Sequence, residues 1–389
     1  MTVLFDLLAT QPVAGYRFHG GADYTKQVLA RAVGRGWDGF HAVYNPRLEL
    51  DQSVAAQCRA AGVKMIEVAS WAEIEGLLGA GGYSTFYSGL PYEYADVDSH
   101  GVRFVMTIHG LRNLELPVDF TQSRVADSWV GRTLAFLQAT RKSERRVRRA
   151  QEQLAKLIFR NEAEIVTVSR HSRYSLKSFF PQLDLSRITV AHSPVVELAE
   201  QIPADTEQGD YYLLLGADRW VKNVLPACKV LDTLMAEGML GTATAKVVGM
   251  VAPNPVSASL QNGSRFEFID YVERDELAAL IRGARCLLFP SQNEGFGYPP
   301  LHAMELETPV IAAATSSVPE VCAAAALYFD VGSMEELRNR VLQVQHDEEL
   351  CAELVAAGRR RFQELKALEG PMLDALVERI FDGGDHGAR

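Results

Sequence analysis

Short apolar, β-branched runs alternate with helix-length stretches along almost the whole chain, and this alternation constrains the fold more than any other feature. Parallel strands need crossover connections, and helices are the usual crossovers, so the pattern predicts parallel sheets covered by helices. The first series of strand candidates covers 3–8, 39–44, 64–68, 84–87, 104–108, 165–168 and 188–190. The second covers 211–215, 245–248, 266–269, 286–289, 310–312 and 327–329. Between the two series, ELAEQIPADTEQGD (197–210) is polar, acidic and without an apolar period, and the domain boundary is expected there. A length of 389 residues exceeds one ordinary core and suits two. The predicted fold class is therefore α/β, with doubly wound domains over 1–198 and 205–365. Such folds bind ligands outside the carboxyl ends of their strands.

Charge excludes one class of partner. The chain carries 39 basic and 49 acidic residues, a net charge of -10, which disfavours a general nucleic-acid binder. Positive charge is concentrated in 101–150, with ten basic against four acidic residues. No uncharged apolar run approaches the ~18–20 residues that a membrane span needs. The start, MTVLFDLLATQ, lacks a basic segment and carries Asp6 inside its apolar run, which argues against a signal peptide. The cysteines at 58, 228, 286, 322 and 351 are odd in number and never spaced C-x-x-C, as expected of reduced cytoplasmic thiols rather than a disulfide frame or zinc site.

Residues 286–330, CLLFPSQNEGFGYPPLHAMELETPVIAAATSSVPEVCAAAALYFD, carry the most information. They read as strand, loop, helix, strand and helix. Gly295, Phe296 and Gly297 lie where the first strand gives way to a helix near Pro299 and Pro300. Glycines there let the backbone approach a ligand, and amides at the helix start suit an anion. Glu294 can accept hydrogen bonds from sugar hydroxyls, and His302, about two turns along the helix, falls on a similar face. Taken alone, the same residues equally describe a tight strand–helix connection and a surface or core histidine.

Four other stretches stand out. Gly216 ends an apolar strand, and Arg219 and Lys222 follow on the loop before a helix near Val224, either neutralising a leaving diphosphate or simply solvated. Gly20 and Gly21 are expected in a turn between the first strand and the first helix, open to a substrate or merely a loop. His109 ends the apolar strand VMTI, where it can bond a sugar, act as acid or base, or serve structure alone. As a helix, residues 141–160 place Arg141, Lys142, Arg145, Arg146, Arg148, Arg149, Lys156 and Arg160 on one arc, opposite Val147, Ala150, Leu154 and Ile158. That basic face suits an anionic membrane or a phosphate-bearing acceptor, or is an ordinary solvated surface. Asp96-Val97-Asp98 has the form of a metal-binding Asp-x-Asp, but it precedes a strand instead of ending one and reads as loop.

The 286–330 block resembles the signature of the family-4 retaining glycosyltransferases of GT-B architecture. Pro290-Ser291, Glu294 through Gly297, Pro300-Leu301, Ala303-Met304, Thr308 through Ile311 and Pro319-Glu320-Val321 carry the match. The resemblance implies two Rossmann-like domains facing across a cleft, the C-terminal one holding a nucleotide diphosphate sugar and the N-terminal one a glycan or lipid-linked acceptor. It further implies helices at about 366–389 returning to the N-terminal domain. Glu294 would bind donor-sugar hydroxyls, and the amides of Gly295, Phe296 and Gly297 would face the diphosphate. Lys222, and more loosely Arg219, would grip that diphosphate. His109 would lie beside the sugar, Gly20 and Gly21 near the transferred group, and the backbone around Val272 at the base. No metal and no cofactor is implied. The family's setting is surface polysaccharide assembly in the bacterial cytoplasm, with peripheral contact at the inner face of the membrane. His302 departs from the pattern, which has a second Glu there for the ribose hydroxyls. The rival reading is a nucleotide-sugar-binding scaffold with a degenerate site.

Overall fold

All thirteen apolar runs become strands of two wholly parallel sheets. The computed structural model describes residues 2–12, 20–116, 129–195, 197–198, 202, 208–254 and 256–382, without the side chains of 129–132 and 134–143. The first sheet holds β1 (Thr2–Asp6), β2 (His41–Tyr44), β3 (Lys64–Glu67), β4 (Tyr83–Ser88), β5 (Arg103–Ile108), β6 (Glu164–Thr167) and β7 (Ile188–Val190), in the order β3-β2-β1-β4-β5-β6-β7. The second holds β8 (Tyr211–Leu215), β9 (Thr244–Val248), β10 (Phe266–Ile269), β11 (Cys286–Phe289), β12 (Val310–Ala313) and β13 (Leu327–Phe329), in the order β10-β9-β8-β11-β12-β13. Strands covered on both faces have no solvent side to keep polar, which is why β11 and β12 are buried at every position.

The helices of the first half are α1 (Gly20–Gly34), α2 (Gln52–Ala60), α3 (Trp71–Gly79), α4 (Arg112–Glu115), α5 (Trp129–Phe159) and α6 (Arg170–Phe179). Those of the second half are α7 (Val224–Ala236), α8 (Arg274–Arg282), α9 (Tyr298–Glu305), α10 (Val318–Cys322), α11 (Met334–His346) and α12 (Glu348–Phe381). Several starts are set by short polar side chains that accept from an early helix amide. Asp51 accepts from Ser53, Ser169 from Ser172 and Ser333 from Glu336.

Two compact units result. One comprises Met1–Leu114, Arg146–Pro194 and Ala367–Arg389, and the other Glu115–Arg145 and Val195–Lys366. The grouping of Glu115–Arg145 with the second unit departs from the division at 198; Glu115 there accepts from Asn293 Nδ2 at 2.6 Å. The last part of α12 belongs to the first unit, where Leu373, Leu376, Val377 and Ile380 are buried. Arg31 donates twice to Asp374 at 2.6 Å, and Arg103 and Arg379 share the Glu164 carboxylate.

Candidate functional site

In the second unit the carboxyl ends of β8 and β11 are neighbours, so loops far apart in sequence meet there. The β8 loop begins at Gly216, whose φ of +75° and close approach to Lys222 Cγ, 3.2 Å from where a Cβ would sit, both call for glycine. A single tight turn, Trp220–Lys222, and a left-handed Asn223 then lead into α7. This turn aims Lys222 inward: its side chain is 5% exposed, and its Nζ lies 2.6 Å from Glu294 Oε1 and 4.9 Å from the Phe289 ring centroid.

The Glu294 loop is fastened at several points. Its amide donates to Ser316 Oγ at 2.8 Å, and Ser317 Oγ donates to the carbonyls of Glu294 and Phe296 at 3.0 and 2.9 Å. Ser291 Oγ adds a 2.5 Å bond to the same Oε1 that Lys222 uses. Burial pushes the Glu294 carboxyl toward its neutral form, but Lys222, Ser291 and Arg219 outweigh it and hold the pKa below its ordinary value. The pair is thus charged, and both described bonds fall on one oxygen, which leaves Oε2 to accept from a hydroxyl. Arg219 is exposed on the same loop and acts on Glu294 through space.

Gly297 caps α9 with φ +114°, a backbone state that side chains avoid, and Phe296 before it is buried. Pro299 and Pro300 occupy the first turn of α9 and carry no N–H, so the anion-facing amides expected at this helix start are fewer than at an ordinary one. His302 lies on α9, 12% exposed, with its ring stacked on Tyr298 at 6.0 Å. Its Nδ1 is 3.6 Å from Oε2 of Glu305, a side chain only 3% exposed whose other oxygen accepts from the Leu198 amide at 2.8 Å. Glu305 had no place in the sequence reading, although its three-residue spacing from His302 puts the two on one helix face. Val272 is buried just beyond β10, beside an exposed Tyr271.

The first unit brings its own candidates together. Gly20 and Gly21 are not in a turn: they open α1. Glycine lets α1 approach closely here: a Cβ on Gly21 would sit 2.5 Å from Leu90 Cδ2, which would have to shift, and 3.3 Å from His109 Nε2. His109 follows β5 and meets the Gly89 carbonyl through Nε2 at 2.9 Å, while its ring lies edge-on to Tyr24 at 5.1 Å. A carbonyl can only accept, so Nε2 carries the proton and the neutral ring keeps its lone pair on Nδ1. Below, Asp6 at the end of β1 accepts from Ser88 Oγ at 2.6 Å and from the Leu8 amide at 2.9 Å. Burial pushes its carboxyl up to about 6 against those bonds.

Arg145, Arg146, Arg148 and Arg149 are exposed on α5, and Ile158 on its other face is buried. Lys156 instead pairs with Asp96 at 2.8 Å and Arg160 donates to the Asp96 carbonyl. The side chains of Arg141 and Lys142 lie outside the described residues. Asp98 accepts from the His100 amide. Among the described residues no group of three or more His, Cys, Asp or Glu is gathered to hold a metal ion, and no helix is long and apolar enough to cross a membrane.

Residues 201–361 match the family model described as glycosyl transferases group 1. Over these residues the chain is similar to that family. Among curated relatives, O-antigen chain mannosyltransferase B of Escherichia coli is 33% identical over 92 residues, 23% of this chain and 24% of that one. O-antigen chain mannosyltransferase RfbU of Salmonella typhimurium is 24% identical over 192 residues, 49% of this chain and 54% of that one. The chain thus spans a quarter to about half the length of these relatives. Among solved structures, WaaG, a glycosyltransferase involved in lipopolysaccharide biosynthesis, superimposes with TM-score 0.66 at 14% identity, covering 97% of this chain and 99% of that one. HepE of Anabaena in complex with UDP gives 0.65 at 12% identity over 97% and 99%. These likenesses establish the GT-B fold, two Rossmann-like parallel-sheet units.

Proposed function

We propose that the protein is a retaining, metal-independent glycosyltransferase that moves a hexose from a nucleotide diphosphate sugar to a glycan or lipid-linked acceptor. The buried Lys222–Glu294 pair, 2.6 Å apart inside the region similar to the group 1 family, carries this reading. A charged lysine held at a strand end beside a carboxylate with a spare oxygen is suited to a substrate that is anionic at one end and hydroxylated at the other. In the reaction, the bond from the anomeric carbon to the diphosphate breaks and the acceptor oxygen attaches on the same face. The acceptor's proton passes to the departing diphosphate. Lys222 and Arg219 offset the charge that develops on the diphosphate, Glu294 orients the sugar through its hydroxyls, and His109 assists from the first unit. Gly295, Phe296 and Gly297 line the diphosphate, and His302 and Val272 the nucleoside. Gly20 and Gly21 hold the acceptor side close.

The curated relatives are O-antigen mannosyltransferases, and this supports a role in surface polysaccharide assembly with a mannosyl donor as the first to test. The protein would work in the cytoplasm, with Arg145, Arg146, Arg148 and Arg149 toward an anionic membrane. The purified protein is to be titrated with uridine, guanosine and thymidine diphosphate sugars, scoring binding and slow donor hydrolysis with and without EDTA. Hydrolysis of one donor unaffected by EDTA is expected. Hydrolysis abolished by EDTA overturns the metal-independent mechanism, and no binding across the panel favours a degenerate scaffold.

A further inference from the structure

The loop that follows β12 reads Thr315-Ser316-Ser317, and all of these hydroxyls turn to the neighbouring β11 loop. Thr315 Oγ1 donates to the Ser291 carbonyl at 2.7 Å, fixing the residue whose own hydroxyl holds Glu294 Oε1. Ser316 Oγ accepts from the Glu294 amide at 2.8 Å, and Ser317 Oγ donates to the Glu294 carbonyl at 3.0 Å. The N–H and the C=O of Glu294 are therefore held by two adjacent side chains. With both peptide planes around its Cα fixed, the direction of the Cα–Cβ bond is fixed as well. Lys222 and Ser291 then secure the far end at Oε1.

Both serines forgo an easier arrangement. Ser316 has a φ of +45°, a left-handed state that glycine adopts freely and that strains a residue with a Cβ. Strain of this kind persists where the surrounding structure makes use of the side chain. Glycine at 316 would relax the backbone but would lack the Oγ that meets the Glu294 amide. Ser317 stands at the N-cap of α10, where a serine ordinarily accepts from an amide of its own helix. Its side chain makes no such bond; it is fully buried and serves Glu294 and Phe296 instead.

We propose that Ser316 and Ser317 are positioning residues that set which hydroxyl of a donor sugar the Glu294 carboxylate reads. Recognition of a hydroxyl by one carboxylate oxygen requires placement within about 0.5 Å, and the residues behind the contact supply that precision. Neither serine has to touch the sugar. The inference rests on the sugar-binding role proposed for Glu294, so its test compares ligands with and without the sugar.

The full chain and Ser316→Gly are to be titrated with uridine, guanosine and thymidine diphosphate hexoses and with the matching nucleoside diphosphates. Ser316→Gly removes the Oγ and the strain together, so its melting temperature is expected to stay at or above that of the wild type. Affinity for the diphosphate hexose that the wild type binds falls about tenfold, as loss of one hydrogen bond implies, while affinity for the nucleoside diphosphate stays within about twofold. Hydrogen exchange at the Glu294 amide accelerates in the same variant. Ser333→Ala, which deprives the start of α11 of its hydroxyl acceptor, lowers the melting temperature and leaves both affinities unchanged. A hexose-specific loss in Ser333→Ala as well would mark a general effect and overturn the proposal, as would equal losses for both ligands in Ser316→Gly. A wild type that binds no donor defeats the sugar-binding reading and this inference with it. A donor bound equally well by the wild type and by Ser316→Gly defeats this inference alone.

Discussion

Lys222 shows why a charged side chain can be buried at all. Removing one partner of a buried ion pair leaves the other uncompensated, at roughly 3–5 kcal/mol. Lys222→Ala is therefore expected to lower thermal stability as well as activity, and steady-state kinetics with direct donor titration separate the two effects. If Lys222 acts on departing charge, turnover falls by about 10²–10³ while donor affinity falls far less. Equal losses contradict that role. A similar argument applies at 302, where the obvious restoring change meets an obstacle. His302→Glu sets a second carboxylate one turn from Glu305, itself 3% exposed, and like charges there repel. We expect His302→Glu to lower the melting temperature and His302→Glu with Glu305→Gln to recover it; additive effects in that double-mutant cycle would refute the coupling. Asp6 supplies the pH dependence. Its folded pKa of about 6 lies above the ordinary carboxyl value of 3.8, so the folded state binds the proton more tightly. Its contribution is thus favourable below 3.8 and lost as pH rises through 6. Asp6→Asn, which keeps an acceptor for the Leu8 amide, should flatten that part of the stability profile and gain on the order of 2–3 kcal/mol at neutral pH. A profile between those values that matches wild type would show that burial does not set this carboxyl.

At the scale of elements, the strands were legible, and so were the helix starts near Val224 and Pro299, whereas the start of α1 was not. An apolar run flanked by turn residues has one economical fate in a doubly covered sheet, and each expected strand is found within one to two residues. The start of α1 at Gly20 was missed because two glycines disfavour a helix locally, and packing against Leu90 and His109 overrides that preference. Gly297 is the contrasting case. A Cβ there meets nothing within 4 Å, so the constraint is the φ of +114° alone. Gly297→Ala is expected to cost about 1–3 kcal/mol in backbone strain or to shift the loop. Donor affinity should fall along with the melting temperature. An unchanged melting temperature and unchanged donor binding would show that the loop tolerates another conformation.

For the whole molecule, the striking dependence on distant sequence lies in α12. The residues from Ala367 onward count with the first unit, although the sheet they cover ended far earlier in the chain. Leu373, Leu376, Val377 and Ile380 are buried there, and at roughly 1.5–3 kcal/mol per side chain they contribute on the order of 6–12 kcal/mol. The ion pairs of Asp374 and Glu378 with Arg31 and Arg35 are part-exposed and add little. Truncation after Lys366 should therefore unfold the first unit, read as loss of its share of the thermal transition. Four charge-removing substitutions at Arg31, Arg35, Asp374 and Glu378 should leave it folded. A truncated chain with an unaltered melting profile would contradict this assignment.

Sequence by itself determined the fold class, the thirteen strands and the block around Glu294, because hydrophobic period and glycine-rich turns are local properties of neighbouring residues. Tertiary structure alone decided that Lys222 Nζ lands 2.6 Å from Glu294 Oε1, since those residues meet only once β8 and β11 lie side by side. It also decided that Glu305 faces His302 from a buried position. Each of these rests on burial and on contacts across long sequence separations, which no local pattern encodes.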